Sequence, residues 1–192
     1  MRGGTVTGNG QFIINGQIPK LQCYVPCSED NIFEDSVKLV VEGDAGFVIP
    51  DSTVYVFRGN ETALICKDNS NIKFGKGSKL IFENGARINA NNCIFSSDDS
   101  SDVWDGIYLS DLSRDTLKNC TFQNAVNGIN IENKVTSGIN DPEPATLIEN
   151  CTFKNSTSAA LLNCVYANNS QNVLVKDCDM VKTSSGGFTS GY

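Results

Sequence analysis

Leu117-Lys118-Asn119-Cys120-Thr121-Phe122 returns three more times with small changes: as Ala90-Asn91-Asn92-Cys93-Ile94-Phe95, as Ile148-Glu149-Asn150-Cys151-Thr152-Phe153 and as Val175-Lys176-Asp177-Cys178-Asp179-Met180. Each copy reads apolar, polar, Asn or Asp, Cys, variable, large apolar. The cysteines stand 27, 31 and 27 residues apart. Self-similarity at a nearly constant period marks a chain made of stacked units, each burying its apolar face against the next.

The unit itself is informative. Alternate residues of a strand face the same side, so Leu117, Cys120 and Phe122 cannot all point inward along one straight strand. The phase slips by one residue at Asn119, and the slip recurs at Asn92, Asn150 and Asp177. A one-residue corner restores the inward direction. Asn and Asp are the non-glycine residues that best tolerate the left-handed backbone such a corner needs. The four are therefore expected as a structural corner ladder, with their side chains hydrogen-bonding along the stack. Cys93, Cys120, Cys151 and Cys178 are expected as an inward column of small apolar side chains rather than a redox or metal centre.

Away from the repeat, Ile72 and Phe74, Leu80 and Phe82, and Ala86 and Ile88 alternate cleanly among Gly75, Gly77 and Gly85. These read as strands with turns, as do Val37–Val41 and Val54–Phe57. No window shows helical periodicity. Gly128, Ala159 and Gly186, eight residues past three of the cysteines, open a further face, which Ile129 and Ile131 continue. In the coil of Cys93 the matching stretch, Gly106-Ile107-Tyr108-Leu109, comes only after an excursion from Ser96 to Val103. A coil of roughly 20–30 residues with three short strands and three turns predicts an all-β, right-handed parallel β-helix. It is expected over residues 37–192, with residues 1–36 as an irregular N-terminal strand-and-loop cap. The stack is expected to continue, or to assemble end to end, beyond the last coil.

The run Ile72-Lys73-Phe74-Gly75-Lys76-Gly77-Ser78-Lys79-Leu80-Ile81-Phe82, with Trp104-Asp105-Gly106-Ile107 and the Asn-Cys-Thr-Phe coils, resembles the β-helix regions of large secreted or surface-exposed bacterial proteins. Many of these, especially from the Bacteroidetes, carry a C-terminal sorting domain. No such domain stands in these residues, so the extracellular or cell-surface location that the resemblance implies rests on the β-helix portion alone.

Composition narrows the function. The net charge is −7, with 15 scattered Lys and Arg, which repels nucleic acid. No apolar run is long enough to span a bilayer, so membrane insertion is not expected. No cofactor is expected either. Cys23 and Cys27 read as a disulfide-closed loop in an exported chain, or as half of a zinc site that the absence of histidine leaves incomplete. The loop Ser96–Asp102 lacks the glycine spacing of calcium loops and reads as a solvated insertion. Trp104 and Tyr108 form either a sugar-stacking platform or, in the case of Trp104, a cover for the core edge. The Asn-X-Ser/Thr matches fall partly on the corners and read as composition.

The pectin-degrading hydrolases that this fold resembles use clustered aspartates and a Gly-His-Gly segment, and this chain has no histidine. A lyase needs outward carboxylates on neighbouring coils plus a basic residue; Lys118, Lys176 and Arg87 are the outward bases, Glu149 and Asp177 the nearest acids. The expectation is a non-catalytic structural or adhesive β-helix. A carbohydrate-active enzyme or a glycan-binding module is the alternative.

Overall fold

The computed structural model describes residues 5–6, 10–14, 16–18, 31–110, 114–133, 144–155 and 163–182. They form three seven-stranded parallel sheets and, among the described residues, no helix. The chain visits sheets A, B and C in turn, so each strand pairs with the strand one coil earlier and one coil later.

The alternation seen in the sequence sets the register. Ile72, Phe74, Leu80, Phe82, Ala86 and Ile88 are all fully buried. In sheet C, Phe47, Ile72, Phe95, Phe122, Phe153 and Met180 occupy one inward column. Parallel rungs about 4.8 Å apart place like side chains directly over one another. Phe95 stacks on Phe122 at 5.1 Å, and Phe122 on Phe153 at 4.9 Å. In sheet A, Phe33, Phe57 and Phe82 repeat the arrangement at 4.8 Å per step. Each buried ring contributes about 1.5–3 kcal/mol by removal from water. The core is this set of columns, continuous from coil to coil.

Two glycines are imposed by close approach. A Cβ on Gly106 (φ 128) would lie 1.8 Å from the Asn127 carbonyl oxygen. One on Gly128 would meet the Cys164 carbonyl oxygen at 2.5 Å and the Phe153 ring at 2.7 Å. Gly128 is therefore small because the Phe column passes beneath it. Ala159 and Gly186 lie outside the described residues, as do Cys23 and Cys27.

The stretch expected as an irregular cap contributes strands to the sheets. Thr5–Val6, Gln11–Ile14 and Gln17–Ile18 pair in parallel with Asn31–Phe33, Lys38–Val41 and Gly46–Ile49. Nothing in its composition announced this, because strands of two to four residues are too short to show alternation.

Candidate functional site

The residues singled out from the repeat come together at the corner between sheets B and C. Asp115–Lys118 belongs to sheet B and Thr121–Gln123 to sheet C. Asn119 stands between them with φ 53. Asn92 (φ 58), Asn150 (φ 53) and Asp177 (φ 52) hold the same place in their coils. The turn takes the side chain of Leu117 and those of Cys120 and Phe122 into one core, all at most 1% exposed.

The amides form a chain along the outside of this corner. Asn150 Nδ2 donates to Asn119 Oδ1 at 2.6 Å, and Asn119 Nδ2 donates to Asn91 Oδ1 at 2.8 Å. One coil further down, Asn92 Nδ2 donates to Asn69 Oδ1 at 2.6 Å. The ladder thus sidesteps from Asn92 to Asn91 for one rung. At Asp177 a carboxylate, which has no hydrogen to donate when ionised, takes the amide's place.

The cysteines close the inner side. Each thiol donates across the corner to the carbonyl two residues earlier: Cys93 to Asn91 at 3.1 Å, Cys120 to Lys118 at 3.0 Å, Cys151 to Glu149 at 3.4 Å and Cys178 to Lys176 at 3.2 Å. Ser70, fully buried, extends the column downward, its hydroxyl donating to Cys93 Sγ at 3.2 Å. Cysteine suits the position because it is nearly apolar, small, and still carries a weak donor. Cys93, Cys120 and Cys151 are buried, and Cys178 is half-buried.

Neighbouring thiols shift one another's protonation along the column. The Cys151 and Cys93 contacts, with burial, hold Cys120 protonated well above the ordinary thiol range. Cys151 is pulled down, chiefly by its contact with Cys120. Burial pushes Cys178 and Cys66 up. No three Cys, Asp or Glu side chains converge as metal ligands among the described residues.

Outside the ladder lies an open polar groove lined by Lys118, Asn119, Glu149, Asn150 and Asp177. Glu149 bridges Lys118 at 3.0 Å and Lys176 at 2.5 Å. Lys176 first, then Lys118, holds its carboxyl below the usual range. Arg87 pairs with Glu61 at 3.2 Å. Of the outward groups named from the sequence, Lys118, Lys176 and Glu149 therefore meet one another from rung to rung, and Arg87 meets Glu61.

Of the two readings of Trp104, the structure agrees with the cover for the core and not with a sugar platform shared with Tyr108. Trp104 is completely buried, stacked on Phe74 at 3.9 Å, with its Nε1–H donating to the Gln123 carbonyl at 2.9 Å. An indole whose N–H has found a backbone acceptor packs like any core aromatic, so it offers no face to a ligand. Tyr108 lies on the other side of the strand, on the outer face of sheet A between Ile81 and Asn130. Lys79 Nζ sits 5.4 Å from its ring centre. The acidic loop beneath which Trp104 lies is tied locally: Asp99 accepts from the Ser101 N–H and hydroxyl, both at 2.8 Å, and Asp98 meets Lys73 at 3.7 Å.

Sequence reasoning missed the outer face of sheet A as a unit. Its central column runs Ile32, Val56, Ile81, Tyr108, Asn130, Tyr166. The longest connections, residues 19–30, 98–105, 133–145 and 156–162, all leave or enter at the ends of sheet A strands. Loop lengths counted against the repeat period would have found it.

Three parallel sheets, stacked aromatic columns and an asparagine corner define a β-solenoid. A family model described as a right-handed β-helix region matches residues 28–192, and the chain belongs to that family. Neither a curated protein nor a solved structure matches it.

Proposed function

We propose that this chain is a non-catalytic β-helix module of an extracellular or cell-surface protein, acting as a stalk or adhesive surface. The observation that carries the reading is how the outward charges are used. Glu149 is held between Lys118 and Lys176, one on each neighbouring coil, so these groups stitch rungs together instead of facing a substrate. Arg58 and Glu83, 2.7 Å apart on successive coils, do the same on sheet A.

An adhesive role belongs to the outer face of sheet A. In solenoids the insertions gather on one face, which is often the binding face. Tyr108 and Tyr166, two rungs apart, offer aromatic surface to a glycan there. The stack is read as continuing past its last described coil. Val175 and Met180 are 43% and 40% exposed, whereas Ile148 and Phe153 one coil below are at most 1% exposed. Further coils of a longer chain or a second copy would cover them, and sedimentation over a wide concentration range separates the two.

A polysaccharide panel tests the function directly, read both for binding and for new reducing or unsaturated ends. Binding without new ends supports the adhesive reading, and no binding supports the stalk. New ends abolished by substitutions on the face of sheet A would establish an enzyme and overturn it.

A further inference from the structure

The thiol column does more than fill space at its last described step. Cys151 and Cys178 sit between residues that are paired across the same two coils, Glu149 with Lys176 and Thr152 with Asp179. The Asp179 N–H donates to the Cys151 carbonyl at 2.8 Å, which fixes the two backbones in register. Neighbouring strands run about 4.8 Å apart, inside the roughly 4.4–6.8 Å window of Cα separations that a disulfide spans. Both thiols sit on the inner side of the same corner, each reaching back to the carbonyl two residues earlier, Cys151 to Glu149 at 3.4 Å and Cys178 to Lys176 at 3.2 Å. Among the cysteines of the column, Cys178 alone is half-buried rather than buried, so wherever the last described coil is not covered by further coils or a second copy, a reagent from solvent reaches it first.

We propose that Cys151 and Cys178 are a redox pair, closing a disulfide between the last two described coils by exchange with a small-molecule disulfide and reopening it with thiols. In the first step the Cys178 thiolate attacks one sulfur of the small disulfide. That S–S bond breaks, and the leaving thiolate takes up the proton Cys178 gave up. Cys151 then attacks Cys178 Sγ and expels the second small thiolate, which is protonated in its turn. Two protein thiols are oxidised and one small disulfide is reduced to two thiols. Cys151 is suited to the second step, because its contact with Cys120 favours its thiolate.

Parallel Cα–Cβ directions keep the two Cβ atoms nearly as far apart as the strands, at the wide limit of disulfide geometry. The bond therefore forms with a small shift of the outer coil and stays readily reducible. The lower pairs, locked under covering coils, do not make that shift.

The test is equilibration of the full chain in glutathione buffers of graded oxidised-to-reduced ratio, then alkylation and peptide mapping. Cys151 and Cys178 should lose alkylation together, with a cross-linked peptide joining them. The thermal midpoint should rise by several degrees and fall back with a dithiol reductant. Cys151→Ala should stop at a stable mixed disulfide on Cys178. If that variant does not fold, Cys178→Ser on the outer coil replaces it and should leave Cys151 reduced at every ratio. Oxidation confined to Cys23 and Cys27 would overturn the proposal. So would wild-type chain in which Cys178 keeps its glutathione while Cys151 stays alkylatable.

Discussion

Between sheets B and C the chain turns in two residues in four successive coils, whereas on either side of sheet A it takes between three and thirteen. Both kinds of corner use left-handed asparagine: Asn133 and Asn169, at φ 54 and 46, end sheet A strands and are linked by an amide hydrogen bond of 2.9 Å. The difference lies one position further along the chain. After Asn119 or Asn150 the next residue is already an inward cysteine whose thiol reaches back across the turn. A corner held on its outer side by amides and on its inner side by thiols has no slack for an insertion. After Asn169 the next residue, Ser170, also reaches back to the carbonyl two residues earlier, at 2.8 Å, but it is half-buried rather than part of the core. Around sheet A the connections lengthen at little cost, because loop-closure entropy grows slowly with length. The same asparagine thus gives a fixed edge in one place and a variable face in the other.

The largest expected effect tests whether the variable side is tolerant in its core as well as its loops. Trp104→Ala, at the root of the 98–105 connection, should cost about 3–5 kcal/mol in denaturant unfolding, as loss of a fully buried aromatic does. A cost below 1 kcal/mol would mean that the whole flank, indole included, is dispensable (roughly the scale of an ordinary surface change).

Next comes the corner itself. Asn150→Val should cost about 2–4 kcal/mol, combining a β-branched residue forced to positive φ with one lost hydrogen bond. Asn150→Gly, free of the backbone strain, should cost about 1 kcal/mol. Equal midpoints for wild type and both variants would remove the corner from the account.

Thiol accessibility sharpens the comparison without changing stability. In the native chain a bulky maleimide should label Cys178 while leaving Cys120 and Cys151 untouched until denaturant is added. Native labelling of Cys120 would show that the inner side of the corner opens.

The smallest effect concerns Glu149. Its folded pKa lies below the ordinary 4.5, through Lys176 and Lys118. Its contribution is therefore complete above that value and is lost as the pH falls towards the folded pKa. Glu149→Gln should flatten this acid limb slightly, and added salt should hide the difference, since the pairs are exposed. An unchanged acid limb at low salt would show that the bridges do not stitch the rungs.

Much of the corner was legible because its determinants are local. A left-handed residue, an inward thiol one position later and a large apolar residue two positions after that are all set by strand periodicity and by which side chains tolerate positive φ. They repeat in the sequence as they repeat in space. The first coil reads in the sequence only as a strand-and-loop cap, because its strands of two to four residues carry too little alternation to separate them from a loop.

The sequence by itself determined the solenoid, its period, the asparagine corner and the inward cysteines. Each comes from a pattern within a few residues, read four times over. Only the tertiary structure decided the rest: that Trp104 is core and Tyr108 surface, that the ladder shifts from Asn92 to Asn91, that Glu149 spans two lysines, and that every long connection borders sheet A. These depend on which residue of one coil lies over which residue of the next. Coils of unequal length leave that register open in the sequence, and backbone pairing across the stack fixes it.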